Sequence, residues 1–179
     1  MNISNNKLKY DFYRRDVLDV APELLGKMLV RKFSDQRKEK YLITEVEAYR
    51  GGEDRACHAN KGKTKRTGVM FSEGGVVYVY LVYGIHWLLN IVTGEEGDAS
   101  AVLIRGLKGV EGPGRVGKVL ELNKSFYGED LYLSNRIWVE DHGLEFDYET
   151  KTRIGIDYAG EPWINKPWRY IIPDSGARI

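Results

Sequence analysis

The residues best suited to chemistry lie in "YLITEVEAYRGGEDRACH", residues 41–58. Read as a strand, the stretch places Ile43, Glu45, Glu47 and Tyr49 on one face, and Leu42, Thr44, Val46 and Ala48 on the other. Carboxylates at i and i+2 of a strand stand ~6.5–7 Å apart. That separation falls in the range of the two acids of inverting sugar hydrolases. Those acids, however, must flank the scissile bond, and two side chains on one strand face approach it from the same side. The pattern therefore favours one acid that activates water, with the other elsewhere in its network. Composition does not choose between Glu45 and Glu47. Arg105 lies between Leu103 and Leu107 on an apolar strand, where a guanidinium must be paired, so a carboxylate partner is expected.

Other motifs resolve into weaker chemistry. Gly62-Lys63-Thr64 matches the end of a phosphate-binding loop, but the first glycine of that signature would fall on Cys57. Cys57 and His58 could form a thiol–imidazole pair only in a loop. A zinc deaminase would need a second C-x-x-C, and the chain has one cysteine. Cys57 is read instead as a small buried residue. In "VVYVYLVYG", Tyr78 and Tyr80 share a face, and core packing accounts for Tyr78. Tyr83 has the opposite parity and precedes Gly84, so at a hairpin tip it would be exposed and able to wedge between bases. "GPGRVGKVLEL" reads as a Gly-rich turn into a helix, with Arg115 and Lys118 near backbone N–H groups that could face a phosphate.

The elements that must position these residues are mostly strands. "DVLDVAPELLGKMLVRKF" predicts a short helix opened by Pro22 and closed near Gly26, followed by a strand. Further strands are expected at 40–49, in "GGVVYVYLVYG" and its return partner "IHWLLNIVTG", and in "SAVLIRGL". Shorter ones are expected in "RIWVEDHG", "RIGIDYAG" and "WRYIIP". No regular strand–helix alternation appears, which argues for an α+β, mostly antiparallel fold. With 179 residues the chain is expected to form one domain, 1–179. No apolar run reaches the ~20 residues of a membrane span, and "MNISNNKLKY" lacks the apolar centre of a leader. One cysteine and three histidines are a poor metal inventory, so no metal or cofactor is expected, and a cytoplasmic location is. The net charge of +1 conceals a basic loop at 61–68 (Lys61, Lys63, Lys65, Arg66) and an acidic run at 140–149.

Taken in order, "TEVEAY", "CH" with the Lys-rich loop and "TKRTGVMF", "YVYLVYGIHWLLNI", "SAVLIRGL", "GPGRVGK", "NKSF" and "GIDYAGE…KPWRY" resemble the alkyladenine (3-methyladenine) DNA glycosylases over roughly residues 10–172. The resemblance implies a curved, mostly antiparallel sheet with a protruding hairpin. It also implies a monofunctional glycosylase that flips alkylated or deaminated purines out of double-stranded DNA and hydrolyses their N-glycosidic bond. By the same resemblance Glu47 is the general base and Arg105 helps position the water. Tyr49 and Tyr80 stack the base, His58 forms a third wall, and Asn90 opposes the 2-amino group of guanine. Tyr83 fills the gap in the duplex, while Lys63, Lys65, Arg66 and Arg115 lie near the phosphates. A monomer acting on damaged DNA is implied, with no strand cleavage through a lysine Schiff base; Lys124 in "NKSF" is the nearest suspect. Two positions depart from the pattern: Gly74-Gly75 in place of Pro-Gly, and Arg115-Val116 in place of Lys-Leu.

Overall fold

A computed structural model describes residues 6–173, so the extreme N-terminus read above for a leader lies partly outside the described residues. Two helices come first, Tyr10–Tyr13 (α1) and Val17–Leu24 (α2). Asp16 caps α2 by accepting from the Leu18 amide at 2.9 Å, and Val17, Val20, Ala21 and Leu24 form its buried stripe. Pro22 does not open this helix. It sits in the last turn, where it forfeits one backbone bond while the cap at Asp16 sets the start.

Strands Met28–Lys32 (β1), Lys38–Tyr49 (β2), Val77–Val82 (β3), His86–Thr93 (β4) and Ser100–Leu107 (β5) follow. After them come Val110–Glu111 (β6), Ile137–Glu140 (β7), Glu149–Lys151 (β8) and Arg169–Ile171 (β9). Among the described residues they make one nine-stranded sheet in the order β3-β4-β5-β2-β1-β7, with β9 on β2 and neighbouring strands antiparallel. The fold is α+β, as the strand pattern predicts. "RIGIDYAG" is not a strand: positive φ at Gly155 and Gly160 breaks the extended run, and Asp157–Ala159 forms a 3-10 turn. β8 rises instead from the end of the acidic run.

β2 departs from strict alternation. Its pairing with β5 shifts around Thr44 and Glu45, a bulge that lies opposite side-chain-free Gly106. Ile43 therefore joins Val46 and Ala48 in the main core, although the simple parity puts it with the glutamates. That core fills the face covered by α2 and by the helix Pro113–Val119 (α3). α3 docks so closely on β4 that a Cβ at Gly117 would lie 1.8 Å from the Trp87 carbonyl. The opposite face carries the polar and aromatic side chains and is roofed by the loops 50–71 and 152–165.

Candidate active site

Register aligns the site. Tyr78 lies opposite Asn90, Asn90 opposite Leu103, and Leu103 opposite Glu47, so four adjacent strands contribute one row across the sheet. Tyr80 and Tyr49 rise from β3 and β2, whose backbones are separated by β4 and β5, or ~14 Å at ordinary strand spacing. Between them lies a cavity of about 290 Å³. Leu88, Asn90, Leu103 and Arg105 line its floor, and His58, Met70, Ile154 and Tyr158 come from the covering loops. Among the described residues no group of three or more His, Cys, Asp and Glu side chains is placed to hold a metal ion.

Glu47 has no exposed side-chain surface. Its Oε1 accepts from the Ile154 amide at 2.8 Å and lies 3.5 Å from Arg105 Nε, while its Oε2 accepts from the Tyr49 hydroxyl at 2.8 Å. Burial pushes its pKa up, against the pull of Arg105 and the two hydrogen bonds; the charge of Glu45 adds to the rise. Glu45 stands apart chemically, because its Oε1 takes both Arg105 Nε and Arg169 Nη1 at 3.0 Å. Arg105 thus has the carboxylate partner its apolar setting demands, and in fact has two.

The aromatic walls are fixed from behind. His58 opens a 3-10 turn after Cys57, packs edge-on against Tyr80 with centroids 4.6 Å apart, and shares a 2.9 Å bond with the Tyr78 hydroxyl. Burial, with the nearby Arg66 charge, lowers its pKa to about 4, so at neutral pH the ring is uncharged. Asn90 donates to the Tyr78 carbonyl at 3.1 Å, which holds its amide at the floor. Cys57 is buried against the Ala99 carbonyl and its thiol is pushed up to about 12, which removes it as a nucleophile. Lys124 is exposed, and among the described residues no lysine lines the cavity.

Six of the expected residues therefore converge: Glu47, Arg105, Tyr49, His58, Tyr80 and Asn90. Tyr83 does not reach the cavity. It occupies a primed hairpin turn, with φ +53° followed by Gly84 at +71°, and is 90% exposed beside exposed Leu81 and Ile85. Lys63, Lys65 and Arg66 are also exposed, on a loop tied by reciprocal Thr64–Thr67 bonds and by Tyr127, whose hydroxyl accepts from the Val69 amide and donates to the Lys65 carbonyl. Arg66 perturbs His58, Tyr78, Tyr80 and Tyr158, which places its charge near the mouth. Arg115 is exposed on α3, whose first residue, Pro113, lines the cavity.

Methylpurine-DNA glycosylase is the family whose model matches residues 11–112 and 108–176. The chain belongs to that family. Membership makes it a DNA glycosylase, a hydrolase of N-glycosyl bonds, with DNA as its partner. Among relatives provisionally named 3-methyladenine DNA glycosylases, one from Wolbachia pipientis wMel is 47% identical, covering 94% of this chain and 92% of its own. One from Legionella pneumophila strain Corby is 44% identical over 94% and 96%, and one from Rickettsia felis is 41% identical over 93% of each.

Sequence reasoning marked 153–160 only as a strand and a matching block, and missed the roles of Arg153 and Ile154. Arg153 is buried, pairs with Asp54, donates to the Ala48 carbonyl at 3.0 Å, and lies 4.8 Å from the Tyr49 ring centre. It thereby braces the back of the glycosylase's Tyr49 wall while Ile154, next in sequence, supplies the amide to Glu47. The signal that marked Arg105 is absent here: Arg153 follows Thr152, and Lys151 and Gly155 stand where Arg105 has Leu103 and Leu107.

Proposed function

We propose that residues 1–179 act as one monomeric, monofunctional domain that flips alkylated or deaminated purines from double-stranded DNA and hydrolyses their N-glycosidic bond, working on chromosomal DNA in the cytoplasm. The observation that carries this reading is Glu47: a wholly buried carboxylate with a raised pKa, beside an aromatic cavity sized for one base. Glu47 takes the proton of the water that attacks C1′, and Arg105 orients that water. In the free protein Tyr49 and Ile154 cap the carboxylate. Water reaches it only once the entering nucleotide displaces one of them.

Tyr49 and Tyr80 stack the base, and a purine made cationic by alkylation gains from their electron-rich faces. Neutral His58 adds no repelling charge. Asn90, held by its bond to Tyr78, leaves no room for the 2-amino group of guanine. Tyr83 fills the vacated stack, and Lys63, Lys65, Arg66 and Arg115 contact the phosphates. A cavity without lysine supports hydrolysis by water, with the strand left intact. Single-turnover release of 3-methyladenine and of hypoxanthine from duplex DNA tests the reading. Release by wild type and its loss in Glu47→Gln is the expected result. Tight binding of damaged DNA by wild type with no release of either base would make the protein a recognition module.

A further inference from the structure

Glu45, which the proposed mechanism leaves idle, is held by two guanidinium groups. Its Oε1 receives Arg105 Nε from β5 and Arg169 Nη1 from β9, each at 3.0 Å. The same Arg169 donates from Nε to the Thr152 carbonyl at 2.8 Å. Two residues further on, Ile154 delivers its amide to Glu47. Glu45, Arg169 and Thr152 therefore link both supports of the base, the guanidinium and the amide. The bulge in β2 and the absence of a side chain at Gly106, where a Cβ would lie 3.0 Å from Glu45 Cβ, make room for this arrangement.

We infer that Glu45 and Arg169 form a positioning clamp that shares Arg105 between two carboxylates and holds the 152–154 segment over Glu47. The inference rests on Glu47 being the general base. Its physical content is competition. With Glu45 present, Arg105 sits closer to Glu45 than to Glu47, so the base is never locked into a tight ion pair of its own. The groups facing Glu47 are Glu45 and Tyr49 on its own strand, Arg105 on β5, Tyr80 on β3 and the Ile154 amide, with Arg169 acting through Glu45.

The two halves of the clamp shift Glu47 in opposite directions. Glu45→Gln removes a neighbouring negative charge and leaves Arg105 to Glu47 alone, so ionisation of Glu47 becomes easier. The rising limb of the single-turnover rate moves to lower pH, and the plateau falls by about tenfold because the base is now ion-paired. Arg169→Gln releases Thr152, loosens the Ile154 amide and lets Glu45 draw Arg105 away, so the limb moves to higher pH. Arg169→Lys keeps the charge and lacks the two-pronged fork; it restores the limb and recovers only part of the plateau. Affinity for lesion DNA stays within about twofold throughout.

The experiment measures base release against pH for these variants, together with carboxyl-carbon NMR titration of Glu47, assigned by its disappearance in Glu47→Gln. Opposite shifts in the two glutamine variants support the clamp. Unmoved limbs and titrations in folded variants overturn it, as does a loss of rate that merely parallels a loss of binding. If wild type releases no base, the proposed function fails, while the NMR titration still decides the clamp.

Discussion

Among the described residues two glutamates are almost wholly enclosed, and the sheet treats them in opposite ways. Glu140, on β7 at the far edge, has 1% of its side chain exposed. Burial pushes its pKa up, but bonds from Lys40 at 2.6 Å, Trp138 Nε1 at 2.9 Å and His142 Nε2 at 2.9 Å outweigh it and bring the value down to about 2. Glu47, on β2, has an amide, a hydroxyl and a guanidinium that it shares with Glu45, and burial wins. Enclosure alone does not make a reactive acid. What separates the two is whether the surrounding donors fully match the charge that was enclosed.

The sharpest way to break this comparison is Glu47→Gln, which is expected to lower base release by a thousandfold or more, within the range of a lost general base. Stability should move the other way. For a carboxylate whose folded pKa is raised, the stabilising contribution is full below the unfolded value and disappears as pH rises through the folded one, so at neutral pH the ionised group costs stability. A melt should therefore show a Tm unchanged or a few degrees higher. A large fall in Tm would mean that Glu47 is structural, like Glu140.

Glu140→Gln is expected to do the reverse, leaving the rate per folded molecule intact and removing stability. With its pKa depressed from 4.5 to about 2, Glu140 contributes above pH 4.5 and loses that contribution as the pH falls toward 2. The shift corresponds to about 3 kcal/mol, which a urea titration at neutral pH would detect, and the wild-type advantage should shrink on acidification. An advantage that persists at pH 2–3 would show that packing, and not charge, makes Glu140 matter.

How much of this difference could be read from the sequence depends on the distance over which each contact acts. Alternation along β2 correctly put Glu45, Glu47 and Tyr49 on one face because it needs only neighbours in the chain. It misplaced Ile43 because the bulge depends on Gly106, some sixty residues later. Tyr83 at a hairpin tip was legible for the local reason that Tyr-Gly suits a primed turn. The Ile154 amide and the Arg153–Asp54 brace were hidden, since a backbone donor has no residue signature and the glycines that shape 153–160 also fit a short strand. Pro22 misled because proline often opens helices, whereas the Asp16 cap decided this one. The role of Glu140 depends on Lys40, a hundred residues away, and within "EDHGLEFDYE" it looked like one solvated acid among several.

Tyr83 sharpens the comparison at the level of binding. An aromatic side chain stacked on a base is worth about 1–3 kcal/mol, so Tyr83→Ala should weaken binding to lesion-bearing duplex by about tenfold. Affinity for undamaged duplex and the melting temperature should hardly change, because the ring makes little contact with the fold. Equal losses on damaged and undamaged DNA would remove the wedge role and leave Tyr83 an ordinary surface contact.

The smallest effect concerns which end of the molecule meets the phosphates. Lys63, in the loop near the Glu47 cavity, and Lys38, whose ammonium lies 5.7 Å from the Trp138 ring beside Glu140, are both exposed lysines in a chain of net charge +1. Overall charge cannot distinguish them, but ion release can. If Lys63 touches one phosphate, Lys63→Ala should reduce the slope of log affinity against log salt by about one and cost a few-fold in affinity near physiological salt. Lys38→Ala should leave the slope unchanged, because its neighbourhood is built around a fixed internal ion pair. The reverse result would turn the DNA away from Tyr83 and the aromatic cavity. Matched changes in both variants would mean non-specific charge, with no preferred face.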